Sequence, residues 1–254
     1  MTTTHAEPPR LRILEALRDG WQAFCRAPWP FVLFTLLTGS LNLLFNLLSS
    51  LDQLPESLQP SLAVQLTGLV VGVIGQVVVS LWGSVGLIRG AWSALEGQRP
   101  SWRTLSRWDG GAAGRLLVRQ LVYGLLILGV IVLAGAVAVG LAQLQQWLVA
   151  IPAIAALVVL IYLAVNQTFL PWVALLQGPG PIDTLQRGRE AVDPQWWWVV
   201  LLGLLQTGIL LLGLMLCGVG LLAAAPVALC VATAAYRQLF GTDDRTGLLT
   251  PPAG

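Results

Sequence analysis

Charged residues are scarce in this sequence, and lysine is absent. Only 10% of the 254 residues are charged, whereas 56% are hydrophobic. A soluble domain averages about 25% charged residues, so this chain has too few polar side chains to cover its surface in water. We therefore expect the lipid bilayer to be its solvent. The net charge is only +2, and we expect no nucleic-acid partner.

Residues that carry chemistry are equally sparse. The single histidine, His5, lies in a polar N-terminal stretch, and the three cysteines lack the spacing of metal ligands or of a disulfide framework. The sequence contains no HExxH, GxSxG, Walker or GxGxxG motif. One terminal histidine cannot supply a Ser-His-Asp triad. We therefore expect a protein that is not an enzyme and that holds no metal or cofactor.

Long apolar runs are abundant instead. A helix needs about 20 mostly apolar residues to cross the hydrocarbon core of a bilayer. Six runs have this length: 29–50, 62–88, 116–142, 149–176, 195–216 and 219–240. They predict an all-α integral membrane protein with a six-helix domain over 9–240 and disordered tails at 1–8 and 241–254. The first run is too long for the apolar core of a cleaved signal peptide, so it predicts a transmembrane helix.

The basic residues alternate along the chain. All 14 are arginines. They lie in the N-terminal segment, in the connections after the second and fourth spans, and after the sixth span, but in none of the other connections. By the positive-inside rule, this alternation predicts that both termini face the cytoplasm.

Tryptophans accumulate at the same ends of the spans. Indole rings favour the headgroup level because they are apolar and carry one N–H donor. The predicted interfacial anchors are Trp29, Trp102, Trp108, Trp196, Trp197 and Trp198. Before the triple tryptophan, Asp193 suits a helix N-cap and Pro194 suits the first helical position. Three successive residues turn through most of a helical turn, which favours a collar over an aromatic ligand cage.

Two pairs of segments indicate an internal repeat. The stretch “LRDGWQAFCRAPWPFVLFTLL” (17–37) aligns without gaps with “LQRGREAVDPQWWWVVLLGLL” (185–205), and “AWSALEG” (91–97) resembles “AYRQLFG” (235–241). A central copy opens on the amphipathic stretch “PSWRTLSRWDGG” (100–111). We expect three hairpins, each preceded by a cytoplasmic interfacial helix.

The fourth predicted span contains a polar notch, defined here as Asn166, Gln167, Thr168 and Pro171. Pro171 removes one helical hydrogen bond and predicts a kink, with the Gln167 side chain in reach of the freed carbonyl. One interpretation is a solute site beside a broken helix, as in transporters. The other is hydrogen bonding between helices around a structural kink. No ionisable side chain lies in the core of a span, so a transported solute would be neutral or amphiphilic.

Two further patterns concern packing and lipids. In the second span, the spacing of Gly68 with Gly72 and of Ser80 with Ser84 predicts close helix packing. Beside Trp102 and Trp108 lies an arginine belt, formed by Arg99, Arg103, Arg107, Arg115 and Arg119. Basic residues near a membrane surface attract anionic headgroups by about 1 kcal/mol each. The same charges also suffice to determine topology without any specific lipid.

Three stretches resemble a known family: “GLIRGAWSALEGQRPSWRTL”, “PWVALLQGPGPIDTLQRGREAVDPQWWWVVLLGLL” and “GVGLLAAAPVALCVATAAYRQLFG”. It is an uncharacterised family of bacterial six-span integral membrane proteins related to the membrane region of some glycerophosphoryl diester phosphodiesterases. The markers are Ala235, Tyr236 and Arg237 at the end of the last span, with Gly180, Pro181, Asp183, Leu185 and Arg189 before the fifth. The resemblance implies a multi-pass protein of the bacterial cytoplasmic (inner) membrane. It implies no activity, because the family has no settled biochemical role. The sequence contains no soluble phosphodiesterase domain, so the resemblance does not extend to that chemistry.

Two functions stay open at this point. One is a non-enzymatic protein that organises lipids or a membrane protein complex, with the bilayer, anionic lipids and an unidentified membrane protein as candidate partners. The other is a carrier or channel for a small neutral or amphiphilic solute that passes through the polar notch.

Overall fold

The computed structural model describes residues 11–55, 60–216 and 218–249, and these residues form helices and turns without a strand. Their α-helices are α1 (Ile13–Arg26), α2 (Pro28–Ser49), α3 (Leu62–Leu95), α4 (Trp102–Ser106), α5 (Gly110–Ala142), α6 (Ala150–Asn166), α7 (Leu170–Trp172), α8 (Pro181–Val192), α9 (Trp196–Met215) and α10 (Leu221–Phe240). Six segments are long and apolar enough to cross a membrane, namely Pro28–Ser49, Leu62–Leu95, Gly110–Ala142, Gln146–Asn166, Pro181–Met215 and Leu221–Phe240. The all-α class and the number of candidate spans are thereby confirmed.

Helix α10 is the central helix of the bundle. Helices α1, α2, α3 and α9 all pack against it. Its sequence is rich in alanine, and small side chains let neighbouring backbones approach closely. One close approach is that of α1, where a Cβ on Gly20 would lie 2.6 Å from the Cα of Val231.

The small residues of α3 lie where the sequence predicts helix packing. A Cβ on Gly72 would lie 2.6 Å from the Phe45 carbonyl oxygen of α2, and one on Gly68 would lie 2.7 Å from the Leu48 carbonyl oxygen. Further along, Ser80 Oγ donates to Asn42 Oδ1 at 3.2 Å. Ser84 is half-buried in the same helix. The glycines therefore bring the backbones of α2 and α3 together, and the serine adds a polar link.

The stretch 100–111 differs from the amphipathic helix that its periodicity predicts. Helix α4 covers only Trp102–Ser106, and Leu105 is completely buried. Trp108 lies beyond its end and is exposed. The reason is that a second helix begins soon after α4, which Ser101 caps. The side chain of Asp109 accepts a hydrogen bond from Ala112 N at 2.9 Å and so caps the start of α5.

The fourth span that the sequence predicts, 149–176, is interrupted beside Pro171. Helix α6 ends at Asn166, and Leu170–Trp172 form one further helical turn. Pro171 occupies the first turn of α7, where its missing N–H is not needed. The carbonyl that it leaves without a partner, that of Gln167, accepts a hydrogen bond from Leu170 N at 3.0 Å. A backbone N–H, and not a side chain, therefore satisfies the carbonyl group that Pro171 leaves free.

Positions that the sequence repeat pairs have matching environments. Buried residues pair with buried residues: Gly20 with Gly188, Phe24 with Val192, Phe31 with Val199, and Phe34 with Leu202. At the ends of α3 and α10, Trp92 and Tyr236 are both 1% exposed. The glycines that follow these helices, Gly97 and Gly241, have φ angles of 87° and 82°. The left-handed region of φ favours glycine, so each of these two helix ends requires a glycine at the matching position of the repeat.

The end of the fourth span resembles these two ends with one extra residue. “PWVALLQG” (171–178) repeats the pattern of “AWSALEG” but is longer by one position. Val173–Gln177 form a π-helical turn, in which Gly178 N donates to Val173 O at 3.2 Å. A π turn holds one residue more than an α turn, so it accommodates the insertion.

The chain after α10 folds back onto the bundle, which differs from the disordered tail that the sequence predicts for 241–254. Leu248 is 1% exposed, and Arg245 N donates to Leu176 O at 2.8 Å. The apolar pair Leu248 and Leu249 gives this short segment a reason to pack. The predicted tail at 1–8 and the last residues, 250–254, lie outside the described residues.

Candidate functional site

Asn166 and Gln167 of the polar notch are buried and bonded to helix α8 and to the turn that follows it. Asn166 is 1% exposed, and its amide donates to Asp193 Oδ1 at 2.9 Å. Gln167 is 8% exposed and donates to Leu185 O at 3.0 Å. The oxygens Asn166 Oδ1 and Gln167 Oε1 have no hydrogen-bond partner within the described residues. Thr168 lies just beyond the end of α6, and its Oγ1 donates to Ala164 O of that helix at 3.2 Å.

These bonds fix the broken end of α6 against α8. The Gln167 side chain therefore does not reach the carbonyl freed by Pro171, contrary to the sequence prediction. Gly188 makes the close approach possible, because a Cβ there would lie 2.9 Å from Asn166 O. The geometry favours the structural interpretation of the notch over the solute site.

Asp193 has a different role from the N-cap that the sequence predicts. It begins a short 3₁₀ turn between α8 and α9 and makes no side-chain cap. Its carboxylate accepts hydrogen bonds from Tyr162 Oη at 2.8 Å and from Asn166, and it forms an ion pair with Arg189 at 3.1 Å. These partners come from α6 and α8, so Asp193 links three elements.

The members of the arginine belt differ in exposure. Arg99 and Arg103 are exposed, Arg107 and Arg115 are half-buried, and Arg119 is buried. Arg119 donates to Pro179 O, to Arg115 O at 2.9 Å and to Thr184 Oγ1 at 3.3 Å. It therefore connects α5 with the start of α8, and its donors are used inside the protein. Arg99 and Arg103 keep their charge at the surface.

Arg89 is a functional candidate that sequence reasoning missed. It lies near the end of α3 and is only 4% exposed. Its Nη1 donates to Arg107 O at 3.0 Å and to Thr104 O at 3.4 Å. Its Nη2 lies 3.6 Å from Asp109 Oδ2. The one available signal was a charge inside an otherwise apolar helix, which indicates a specific partner.

Arg89 lines a polar cleft of about 340 Å³ between α3, α4 and the C-terminal segment 241–249. We call it the arginine cleft, and its main lining residues are Arg89, Trp92, Glu96, Arg103, Arg107 and Leu249. The Glu96 carboxylate accepts a hydrogen bond from Trp92 Nε1 at 2.9 Å. Arg107 reaches the C-terminal segment, where Nη2 donates to Leu248 O at 3.4 Å. Three guanidinium groups therefore surround one opening with a single carboxylate in its lining.

The predicted anchor tryptophans are mostly at the surface. Trp29 and Trp197 are 72% and 76% exposed. Trp102, Trp108 and Trp198 are exposed, and Trp196 is half-buried. Trp196 and Trp197 meet edge to face with ring centroids 4.8 Å apart. The differing exposure within the triple tryptophan favours a collar over a cage.

Other aromatic rings form a buried cluster around Tyr236. Trp92 and Trp172 have ring centroids 6.2 and 6.4 Å from that of Tyr236. Phe240 stacks on the same ring at 4.8 Å. Trp172 Nε1 donates to Thr233 Oγ1 of α10 at 3.0 Å, so its polar group is satisfied inside the core. These rings stabilise the meeting point of the helix ends.

The chemistry available at the site is the binding of anions. Guanidinium groups bind phosphate and carboxylate in a bidentate manner, and tryptophans favour the headgroup level. Among the described residues, no three of the types His, Cys, Asp and Glu lie together as metal ligands. The chain matches no protein-family model, no curated protein and no solved structure, so the resemblance to six-span bacterial membrane proteins stays a prediction.

Proposed function

We propose that this chain is a non-enzymatic, six-span protein of the bacterial cytoplasmic membrane that organises anionic lipids in the cytoplasmic leaflet. Both termini face the cytoplasm in this proposal. The hairpins are α2–α3, α5–α6 and α9–α10, and α1, α4 and α8 are the interfacial helices that precede them. The matching burial of α1–α2 and α8–α9 supports this arrangement of repeated units.

The observation that carries the proposal is that hydrogen bonds join arginine-bearing segments distant in sequence. Arg12 N donates to Gln238 Oε1 at 2.9 Å, and Arg26 Nη1 donates to Ala94 O at 2.5 Å. Arg107 makes a comparable link to Leu248 O of the C-terminal segment, and Arg119 makes one to Thr184 Oγ1 of α8. These contacts gather the positive charge at one end of the bundle, where anionic lipids are attracted by about 1 kcal/mol per basic residue.

The carrier hypothesis has less support. It depends on the polar notch, but both amides of the notch donate to neighbouring protein groups, and both residues are nearly inaccessible. A substrate site needs polar groups that face a pathway. An organising function needs only exposed charge and anchors, which Arg99, Arg103 and Trp102 provide.

Lipid preference is tested by native mass spectrometry of the protein in nanodiscs that contain equal amounts of phosphatidylglycerol and phosphatidylcholine. We expect phosphatidylglycerol to be retained selectively on the protein as the surrounding bilayer is removed. Equal retention of the two lipids would contradict the proposal. Repetition in 0.5 M salt separates surface attraction, which salt screens, from binding in an enclosed site.

Topology is tested with the natural cysteines. Cys25 of α1 is exposed, whereas Cys230 is buried. In a Cys217→Ser variant, a membrane-impermeant maleimide is expected to label Cys25 only after spheroplasts are permeabilised. Asp52→Cys in a variant that also lacks Cys25 is the matched control, and it is expected to be labelled in intact spheroplasts. The opposite pattern would place the arginines outside and overturn the proposal.

A further inference from the structure

We propose that the arginine cleft is a binding site for a phosphate group, and that the headgroup of an anionic phospholipid supplies this group. The inference rests on the proposed function, because it requires the arginine-rich end to lie at the cytoplasmic leaflet. It goes further by assigning one enclosed site and its ligating residues, in place of general attraction by the arginine belt.

Arg89 provides the first argument. Its side chain is 5% exposed, yet its Nε and Nη2 have no hydrogen-bond partner. Only Nη1 is engaged, by the carbonyl groups of Thr104 and Arg107. The 3.6 Å between Nη2 and Asp109 Oδ2 is an ion-pair distance but too long for a hydrogen bond. Buried donors are almost always satisfied, so these two N–H groups indicate a ligand that completes the site.

The charge around the cleft provides the second argument. Arg103 and Arg107 line the cleft together with Arg89. The opposing carboxylate, Glu96, is already engaged by the Trp92 indole at 2.9 Å. A guanidinium presents its donors as a planar fork that matches two oxygens of a phosphate. Arg103, which is exposed at the cleft, offers such a fork. Nε and Nη2 of Arg89 form a second, buried one beside Asp109, whose Oδ2 lies 3.6 Å from Nη2.

The surroundings of the cleft favour a lipid as the source of the phosphate. Leu249 adds an apolar wall, and the exposed Trp102 belongs to the same short helix as Arg103. The apolar helix α3 leads directly away from the cleft towards the proposed bilayer. The volume of about 340 Å³ lies in the range of roughly 300–1,000 Å³ that is usual for small-molecule sites. A headgroup can thus enter while its acyl chains remain in lipid.

The test compares two double variants that lose the same charge. Arg103→Gln with Arg107→Gln alters the cleft, and Arg12→Gln with Arg18→Gln alters two exposed arginines that neither line the cleft nor belong to the arginine belt. Retention of phosphatidylglycerol is measured by native mass spectrometry from the mixed nanodiscs. We expect the unmodified protein to retain one phosphatidylglycerol molecule under conditions that remove the others. The cleft variant is expected to lose about tenfold of this retention, and the control less than about twofold.

Each outcome decides a different point. Equal losses in the two double variants would overturn the cleft as a specific site and leave the proposed function standing. No selective retention by the unmodified protein would overturn both. Thermal unfolding with added inorganic phosphate, or with short-chain phosphatidylglycerol, separates the sources. If inorganic phosphate stabilises the protein as much as the lipid does, the lipid is not the natural source.

Folding of the cleft variant is checked by circular dichroism and by the elution of the detergent-solubilised protein. If this variant does not fold, Leu249→Glu replaces it, because it adds a negative charge at the wall of the cleft and leaves all three arginines in place. We expect the same loss of phosphatidylglycerol from this variant. Retention equal to that of the unmodified protein would overturn the proposed site.

Discussion

Helices α10 and α5 differ in a way that reverses the usual relation between hydropathy and burial. The most apolar stretch of α5 has a mean hydropathy of 2.8, and 0% of it is buried, whereas that of α10 has a mean hydropathy of 1.3, and 61% of it is buried. In a soluble protein the more apolar helix lies inside. Here the more apolar helix lies at the surface, as expected when the surroundings are lipid.

The two helices reach these positions through different side chains. Helix α10 presents small residues such as Ala228 and Ala232, which allow other helices to approach. Helix α5 presents large exposed residues such as Leu125 and Leu133. Between α5 and α6 these large side chains leave an apolar groove of about 440 Å³, lined by residues such as Val137 and Pro152. Close packing therefore depends on small residues, and apolar bulk faces outward.

The largest expected effect comes from the contact between α1 and α10. Gly20→Leu is expected to lower the free energy of unfolding by about 3 kcal/mol or to prevent assembly, because its side chain would overlap the Val231 backbone. Gly129→Leu in α5 is the matched control, since nothing lies within 4 Å of a Cβ there. Thermal unfolding in detergent measures the two. Similar losses of stability in both variants would contradict the conclusion that α1 and α10 are closely packed whereas α5 faces lipid.

A leucine pair sharpens the same comparison. Leu202 of α9 is 0% exposed, whereas Leu133 of α5 is 67% exposed. Leu202→Ala is expected to cost about 2–4 kcal/mol through the cavity that it leaves. Leu133→Ala is expected to stay within about 0.5 kcal/mol. Chemical denaturation in mixed micelles gives both values. A large cost at Leu133 would mean that another protein chain covers this face of α5.

Hydroxyl groups should matter most where they are buried and join two elements. Thr233→Val leaves the buried Trp172 N–H without an acceptor and is expected to cost about 1–2 kcal/mol. In Thr207→Val the lost hydroxyl bonded only to Gly203 O of its own helix, and we expect almost no change. Tryptophan fluorescence during unfolding reports both variants. Equal effects would show that the hydrogen bond to α10 adds no stability.

The smallest effect is expected at the polar notch. Asn166→Leu removes the bond to Asp193 and is expected to cost about 0.6–1 kcal/mol, since hydrogen bonds between membrane helices are worth little. Thr168→Val is the control, because the Thr168 hydroxyl donates only to Ala164 O of the preceding helix α6 and links no second element. Unfolding in detergent is the measurement. A loss of solute uptake in Asn166→Leu without any loss of stability would revive the carrier hypothesis.

Features determined by nearby residues could be predicted from the sequence. The predicted second span begins at 62, the predicted third span ends at 142, and α3 and α5 begin and end at these residues. Hydropathy and length suffice for such ends, because a bilayer sets the length of an apolar run. The four-residue spacing of Gly68 and Gly72 likewise predicts close helix packing, and both glycines lie against the backbone of α2.

Features determined by distant partners could not be predicted. The partners of Arg89 are Asp109 and the carbonyl groups of Thr104 and Arg107, and nothing in the sequence next to Arg89 indicates them. The residues around Asp193 are typical of a helix N-cap, but its carboxylate accepts hydrogen bonds from Tyr162 and Asn166 instead. Likewise, the segment 241–249 has the composition of a tail and packs because Leu248 finds an apolar site. The partners of these side chains lie far away in the sequence and meet them only when the helices pack together.

The contact between Gly20 and Val231 also constrains the order in which the protein can be made. The two residues come from opposite ends of the chain, so α1 leaves the ribosome long before its main partner α10 exists. At about 5–20 residues per second, the delay is on the order of ten seconds or more. During biosynthesis the first helix can therefore contact α2 and α3 early, but it must wait for its main partner until the last span has been inserted.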